Sequence, residues 1–84
     1  MTKPSKLYAS LLTNPAQVIS FRDFERLLAA AGFERKRERG SHRSYRHPAV
    51  PELLTVQPNG KDAQPYQVRK FLDMMRRYRL DVED

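Results

Sequence analysis

Residues 20–47 read SFRDFERLLAAAGFERKRERGSHRSYRH, and this stretch decides the fold. Phe21, Phe24, Leu27, Leu28 and Ala31 recur at spacings that share one face of a helix. Ser20 stands just ahead of them. A hydroxyl there accepts from an unpaired backbone N–H of the first turn, and Asp23, three residues on, gives the pattern of a capping box. Gly32 suits the left-handed position that closes a helix. The spacing therefore predicts a helix over 20–31, with Phe33 folding back onto the core. Phe33–Arg39 and His42–His47 then read as two strands around Gly40-Ser41, a pair suited to a hairpin turn.

On the C-terminal side, His47-Pro48-Ala49-Val50-Pro51 is a loop, because two prolines prevent regular pairing. Leu53–Gln57 is a short third strand, and 58–62 is a turn or loop by composition. Gln64–Arg79 is a second helix. Pro65 suits its first turn, Val68, Phe71, Leu72, Met75 and Tyr78 form its buried stripe, and Asp73 pairs with Arg77. On the N-terminal side, Ser5 is placed to cap a short helix through Leu12, which Asn14-Pro15 ends. A helix this short must dock on something. The order is helix, three antiparallel strands, helix. That is an α+β fold with both helices on one sheet face and the other face open. The expected organisation is an extension over 1–19, a domain over 20–80 and an acidic tail over 81–84.

The chain has 84 residues and a net charge of +6, which suits one domain and leaves little room for an elaborate active site. The charge is localised. Residues 33–47 carry Arg35, Lys36, Arg37, Arg39, Arg43 and Arg46 against Glu34 and Glu38. Residues 69–80 carry Arg69, Lys70, Arg76, Arg77 and Arg79 against Asp73. Clustered basic charge is the footprint of a polyanion partner. Cysteine is absent, which excludes disulfides, thiolate metal sites and a cysteine nucleophile, and fits a reducing compartment. The longest apolar run, Leu27–Ala31, falls far short of the roughly 20 residues of a membrane span. A cytoplasmic protein without membrane contact is expected.

His42 and His47 are the two histidines, and no His-Glu-x-x-His pattern provides a zinc site. Gly32, Gly40 and Gly60 lie too far apart for a phosphate loop. Strand alternation puts His42, Ser44 and Arg46 on one side, with Arg43, Tyr45 and His47 on the other. Tyr45 is the apolar body that should face the helices, so His42 should face solvent. An imidazole titrating near pH ~6.5 can take or give a proton at neutral pH. Arg46 is the candidate to stabilise charge building on a phosphate. His47 is expected to be structural.

Phe24–Glu34, Arg39-Gly40-Ser41-His42 and Tyr45-Arg46-His47-Pro48 together resemble the HicA (YcfA-like) toxins of type II toxin–antitoxin systems. The resemblance continues through Leu54-Thr55-Val56 to Tyr66–Leu72 and spans about residues 20–75. It implies a double-stranded-RNA-binding-domain-like fold, α-β-β-β-α. It also implies an mRNA-cleaving endoribonuclease held in check by a HicB-like antitoxin. The family's essential histidine, in its Gly-Ser-His step, matches His42, with Gly40 and Ser41 presenting it. The sequence differs from the family in two places. Asn59 stands where a second histidine often occurs, and residues 1–19 exceed the usual compact member.

The expected activity is metal- and cofactor-free cleavage of mRNA, with His42 acting as base or acid on the ribose 2′-hydroxyl. Lys36, Arg37, Arg39, Arg43 and Lys61 are the candidate RNA-binding residues, with Arg46 supporting. The antitoxin is expected to cover the open face around His42 with a charge-matched surface. The competing expectation is a non-catalytic RNA-binding module of the same fold.

Overall fold

The computed structural model describes residues 3–83; Met1 and Thr2 of the expected extension and Asp84 of the expected tail lie outside the described residues. The first helix, α1, spans Pro4–Thr13 and follows Lys3 as its N-cap, two residues earlier than a Ser5 cap would require. Pro4 explains the shift, since proline fits the first helical position, where no N–H bond is needed. Asn14 ends the helix ahead of Pro15, as the sequence predicts.

Helix α2 spans Phe21–Ala30. Ser20 Oγ accepts from the Asp23 backbone N–H at 3.1 Å, the predicted cap. Its C-terminus closes with two bonds, Phe33 N to Leu28 O at 3.0 Å and Gly32 N to Ala29 O at 3.1 Å. That pair is a Schellman motif, and it needs a residue with positive φ at position 32. Gly32 supplies φ +95°. Leu28 and Phe33, the two residues such a motif brings together, are both buried.

Gly32 has a second constraint. A Cβ at this position would stand 2.9 Å from His47 Nε2. Gly32→Ala should therefore cost roughly 1–3 kcal/mol, from the positive φ and from the clash. Thermal unfolding would show it, and adding His47→Ala should recover only the steric part. An unchanged Tm for Gly32→Ala would contradict this reading.

Strands β1 (Glu34–Arg39), β2 (His42–Arg46) and β3 (Leu54–Val56) form an antiparallel sheet in that order. Gly40 begins the β1–β2 turn at φ +60°, and Ser41 follows without a positive φ. That is the pattern of a type II′ turn, whose twist suits a two-residue hairpin. After β3, Pro58–Asn59 (β4) and Asp62–Ala63 (β5) make a small hairpin where composition indicated only a loop or turn. This hairpin anchors the start of α2: Phe21 N donates to Lys61 O at 2.8 Å, and Ala63 N to Ile19 O at 2.9 Å.

Helix α3 spans Pro65–Arg77. It stops short of the expected Arg79, because Arg79 takes φ 52° and closes a second Schellman pair, Leu80 N to Met75 O and Arg79 N to Arg76 O. Its buried face includes Gln67 and Met74 besides Val68, Phe71 and Met75, while Leu72 and Tyr78 are only partly buried. Gln67 is buried because its Oε1 takes the Gln57 backbone N–H at 3.0 Å, satisfying the chain just past β3. The expected Asp73–Arg77 pair forms at 2.9 Å.

The core lies between α2, α3 and one sheet face, around Phe24, Leu27, Leu28, Leu54, Val56 and Phe71. Helix α1 docks on it through Leu11, which is fully buried, and through Tyr8, whose ring meets Phe71 edge-on at 6.4 Å. Apart from α1 and the β4–β5 hairpin, this is the double-stranded-RNA-binding-domain-like α-β-β-β-α arrangement, with the other sheet face uncovered. Among the described residues no helix is long and apolar enough to cross a membrane.

Candidate nucleic-acid interface

The uncovered face is defined by cross-strand register. Tyr45 is buried and pairs with Leu54 and Arg35, so these three point to the helices. His42, Ser44 and Arg46 alternate with Tyr45 and point outward. Their partners share that direction: Arg39 lies opposite His42, Arg37 and Thr55 opposite Ser44, and Glu34 opposite Arg46. Side chains of directly opposed residues start about 5 Å apart. The outer face thus carries His42, Arg37, Arg39 and Arg46, with Ser44 and Thr55 sharing a hydroxyl contact of 3.4 Å between them.

A β-bulge sets this pattern. The register slips between Arg35 and Arg37, leaving Lys36 as the extra residue. Strict alternation would place Arg35, Arg37 and Arg39 together. The extra residue instead sends Arg35 and Glu38 inward and Arg37 and Arg39 outward. Lys36 bonds Glu34 at 2.9 Å on the outer side. Among the described residues, Arg37, Arg39 and Arg46 have no carboxylate partner, so their charge is available to a ligand.

The remaining candidates are arranged differently. Arg43 faces the helices. Its Nη1 donates to Glu25 Oε1 at 2.6 Å and its guanidinium lies 5.3 Å above the Phe21 ring. Its Nε lies 3.2 Å from Glu38, near enough for charge attraction but out of hydrogen-bond alignment. Arg43 is therefore a structural cation, separated from the open face. Lys61 is exposed in the β4–β5 turn, beyond the end of β3 that lies level with His42. Asn59 is exposed in the same hairpin. Arg46 and His42 stand at opposite ends of β2, about 13 Å apart along the strand. The cation directly across from His42 is Arg39. His47 lies elsewhere: its Nδ1 accepts from Ala49 N at 3.0 Å and its ring meets Phe33 edge-on.

Glu25 is the residue that sequence reasoning missed. It sits on the polar side of α2, where composition gives no hint of a partner. In the structure it accepts from Tyr45 Oη at 2.6 Å and from Arg43, and so bolts α2 to β2. Partial burial opposes its ionisation, but these two hydrogen bonds and the charges of Arg43 and Arg35 outweigh it and hold its carboxyl below the usual glutamate range. Burial, then the bond to this carboxylate, pushes the Tyr45 phenol far up, so it stays a donor. A carboxyl stabilised in its charged form contributes above the ordinary glutamate range and loses that contribution as pH falls through its depressed folded value. Tm should therefore fall as pH drops below about 4.3, and Glu25→Gln should flatten part of that fall. Parallel Tm–pH curves for the two proteins would contradict this role.

A hollow of about 210 Å³ on the outer face is lined by Glu34, Lys36, Arg46 and Pro48. Two larger hollows, between α1 and α3 and beside the C-terminal end of α2, contain none of the outward-facing strand residues. Among the described residues no group of three or more carboxylates and histidines is placed to hold a metal ion. An exposed, arginine-bearing sheet face suits an extended polyanion.

No curated protein and no solved structure gives a significant match to the chain. A family model described as the HicA toxin of bacterial toxin–antitoxin systems matches residues 21–75, from the first turn of α2 through most of α3, with the whole sheet between. With about two thirds of its length matched and the fold in agreement, the chain belongs to the HicA toxin family, whose members work opposite an antitoxin.

Proposed function

We infer that this toxin is an endoribonuclease that cleaves mRNA on the open sheet face, with His42 as its proton carrier. One observation carries the reading: an exposed imidazole at the head of β2, with the unpaired Arg39 directly opposite on a solvent-open face. RNA supplies its own nucleophile. His42 takes the proton of a ribose 2′-hydroxyl, the 2′-oxygen bonds to the adjacent phosphorus, and the bond to the 5′-oxygen breaks. That oxygen takes a proton from water. The products are a 2′,3′-cyclic phosphate and a 5′-hydroxyl. Charge gathers on the phosphate oxygens as the bond forms, and a fixed guanidinium facing them lowers the barrier. Arg39 fills that role by position, and Arg37, Arg46, Lys36 and Lys61 hold flanking phosphates. Gly40 and Ser41 form the turn that fixes the start of β2.

These contacts position the strand rather than read it. The reaction needs no metal ion. The antitoxin in this reading is HicB-like and covers the His42 face with an acidic surface, since the unpaired arginines there favour such a match. Induced expression in bacteria tests the function: growth should stop while full-length mRNA disappears. Normal growth with intact mRNA would overturn the reading.

A further inference from the structure

The hollow beside Arg46 lies at the far end of β2 from His42, away from the bond that is cut, and the phosphate-holding role given to Lys36 and Arg46 leaves its Glu34 and Pro48 without a use. Three features make it more than a surface irregularity. First, the bulge at Lys36 creates it. Without the bulge, the ladder set by the Gly40-Ser41 turn would place Lys36 opposite the buried Tyr45, facing the helices. Bulges concentrate where a strand must re-aim a side chain beside a site. Here the result is that Lys36 Nζ bonds Glu34 Oε2 at 2.9 Å, with Arg46 directly across the ladder from Glu34. Second, the hollow combines opposite chemistries: two cations, one carboxylate, and the Pro48 ring as an apolar wall. A site for phosphate alone would exclude Glu34. Third, its distance along β2, about 13 Å from His42, is a span that a short extended single strand covers, and Arg37 and the Ser44–Thr55 hydroxyls lie between.

We propose that this hollow is a second nucleotide subsite that reads a base bearing an exocyclic amine, a short step along the strand from the cleaved bond. The inference rests on the RNA-cleaving reading of the same face. Lys36 and Arg46 hold the phosphate. Glu34 accepts from the amine of adenine, cytosine or guanine. Lys36 occupies one oxygen of the carboxylate, and a carboxylate has acceptor capacity to spare. Hydrogen bonds from Lys36, and then its charge, hold the Glu34 carboxyl below the usual range, so it remains an acceptor. Uracil has no exocyclic amine and leaves Glu34 without a base partner. Bases of an unpaired strand expose the edges this recognition needs. The toxin therefore has a sequence preference at one flanking position while remaining indifferent elsewhere.

The test uses 2′-O-methyl RNA hexamers, which bind but lack the hydroxyl that would be cleaved. A uridine hexamer is compared with the same hexamer carrying one adenine, cytosine or guanine. Wild type should bind at least one substituted hexamer roughly tenfold more tightly. Glu34→Gln, which offers a donor as well as an acceptor, should reduce that ratio below about twofold. Lys36→Ala and Arg46→Ala should weaken every hexamer and lower the slope of log affinity against log salt by roughly 0.7 each. Equal affinity of wild type for all hexamers, or an undiminished preference in Glu34→Gln, would overturn the subsite. Unmodified RNA is incubated in parallel. A base preference without cutting would sink the catalytic reading and leave the subsite standing; cutting without a preference would do the reverse.

Discussion

Replacing His42 by alanine is expected to slow RNA cleavage by roughly 10²–10⁴-fold while leaving the fold intact. The size follows from the role proposed for the imidazole. A positioned base removes a proton in the step that forms the new phosphorus–oxygen bond, and no other histidine lies on this face. The fold should survive because His42 is exposed and adds nothing to the core. Its Tm should stay within a few degrees of wild type, as surface substitutions usually do. Arg39→Ala should also cut the rate, and Arg46→Ala should act mainly on RNA affinity, because its position is remote from the reacting phosphate. A folded His42→Ala protein that cuts RNA at the wild-type rate would remove His42 from the mechanism. Tight, salt-sensitive binding without cutting in both proteins would favour a non-catalytic RNA-binding module.

Phe71→Ala is expected to have the largest effect on stability. Phe71 is fully buried on α3, and its ring meets three others: Tyr8 at 6.4 Å, Phe24 at 5.7 Å and Phe33 at 5.9 Å. It therefore ties together α1, α2 and the start of the sheet. Truncation removes this apolar contact and leaves a cavity that the surrounding elements fill only partly. The cost is about 3–5 kcal/mol. A domain of this size has a total stability of roughly 4–13 kcal/mol, so the variant should lose a large share of it, with Tm lowered by roughly 15 °C or more. Phe71→Leu should lose much less. Leu12→Ala, at a residue 58% exposed on α1, should change little. A Phe71→Ala protein melting within a few degrees of wild type would show that the core lies elsewhere.

Both effects come from features with different visibility in the sequence. The core was readable because Phe24, Leu27, Leu28 and Phe71 carry a helical period that few other arrangements produce. The caps were readable for the same local reason: Ser20 and Gly32 are residue types with few other uses at helix ends. Strand β1 was harder. All six of its residues, Glu34–Arg39, are charged and exposed, so no apolar alternation fixes its register. The bulge at Lys36 was therefore invisible, and with it the inward turn of Arg35 and the pairing of Glu34, rather than Arg35, with Arg46. The β4–β5 hairpin was hidden because its strands are two residues long and gain their place by bonding to Ile19 and Phe21, distant in sequence. Glu25 went unseen because a glutamate on a helix looks solvated until a partner strand arrives. Local chemistry was legible, and contacts between distant polar residues were not.

The central claim is that one imidazole and a few arginines suffice because the substrate brings its own nucleophile. A DNA oligonucleotide with a single internal ribonucleotide tests it most directly, incubated with the purified toxin in excess chelator. One cut is expected, on the 3′ side of the ribonucleotide, leaving a 2′,3′-cyclic phosphate and a 5′-hydroxyl, and no cut with His42→Ala. Cutting at deoxynucleotides, or products ending in a 5′-phosphate, would contradict it.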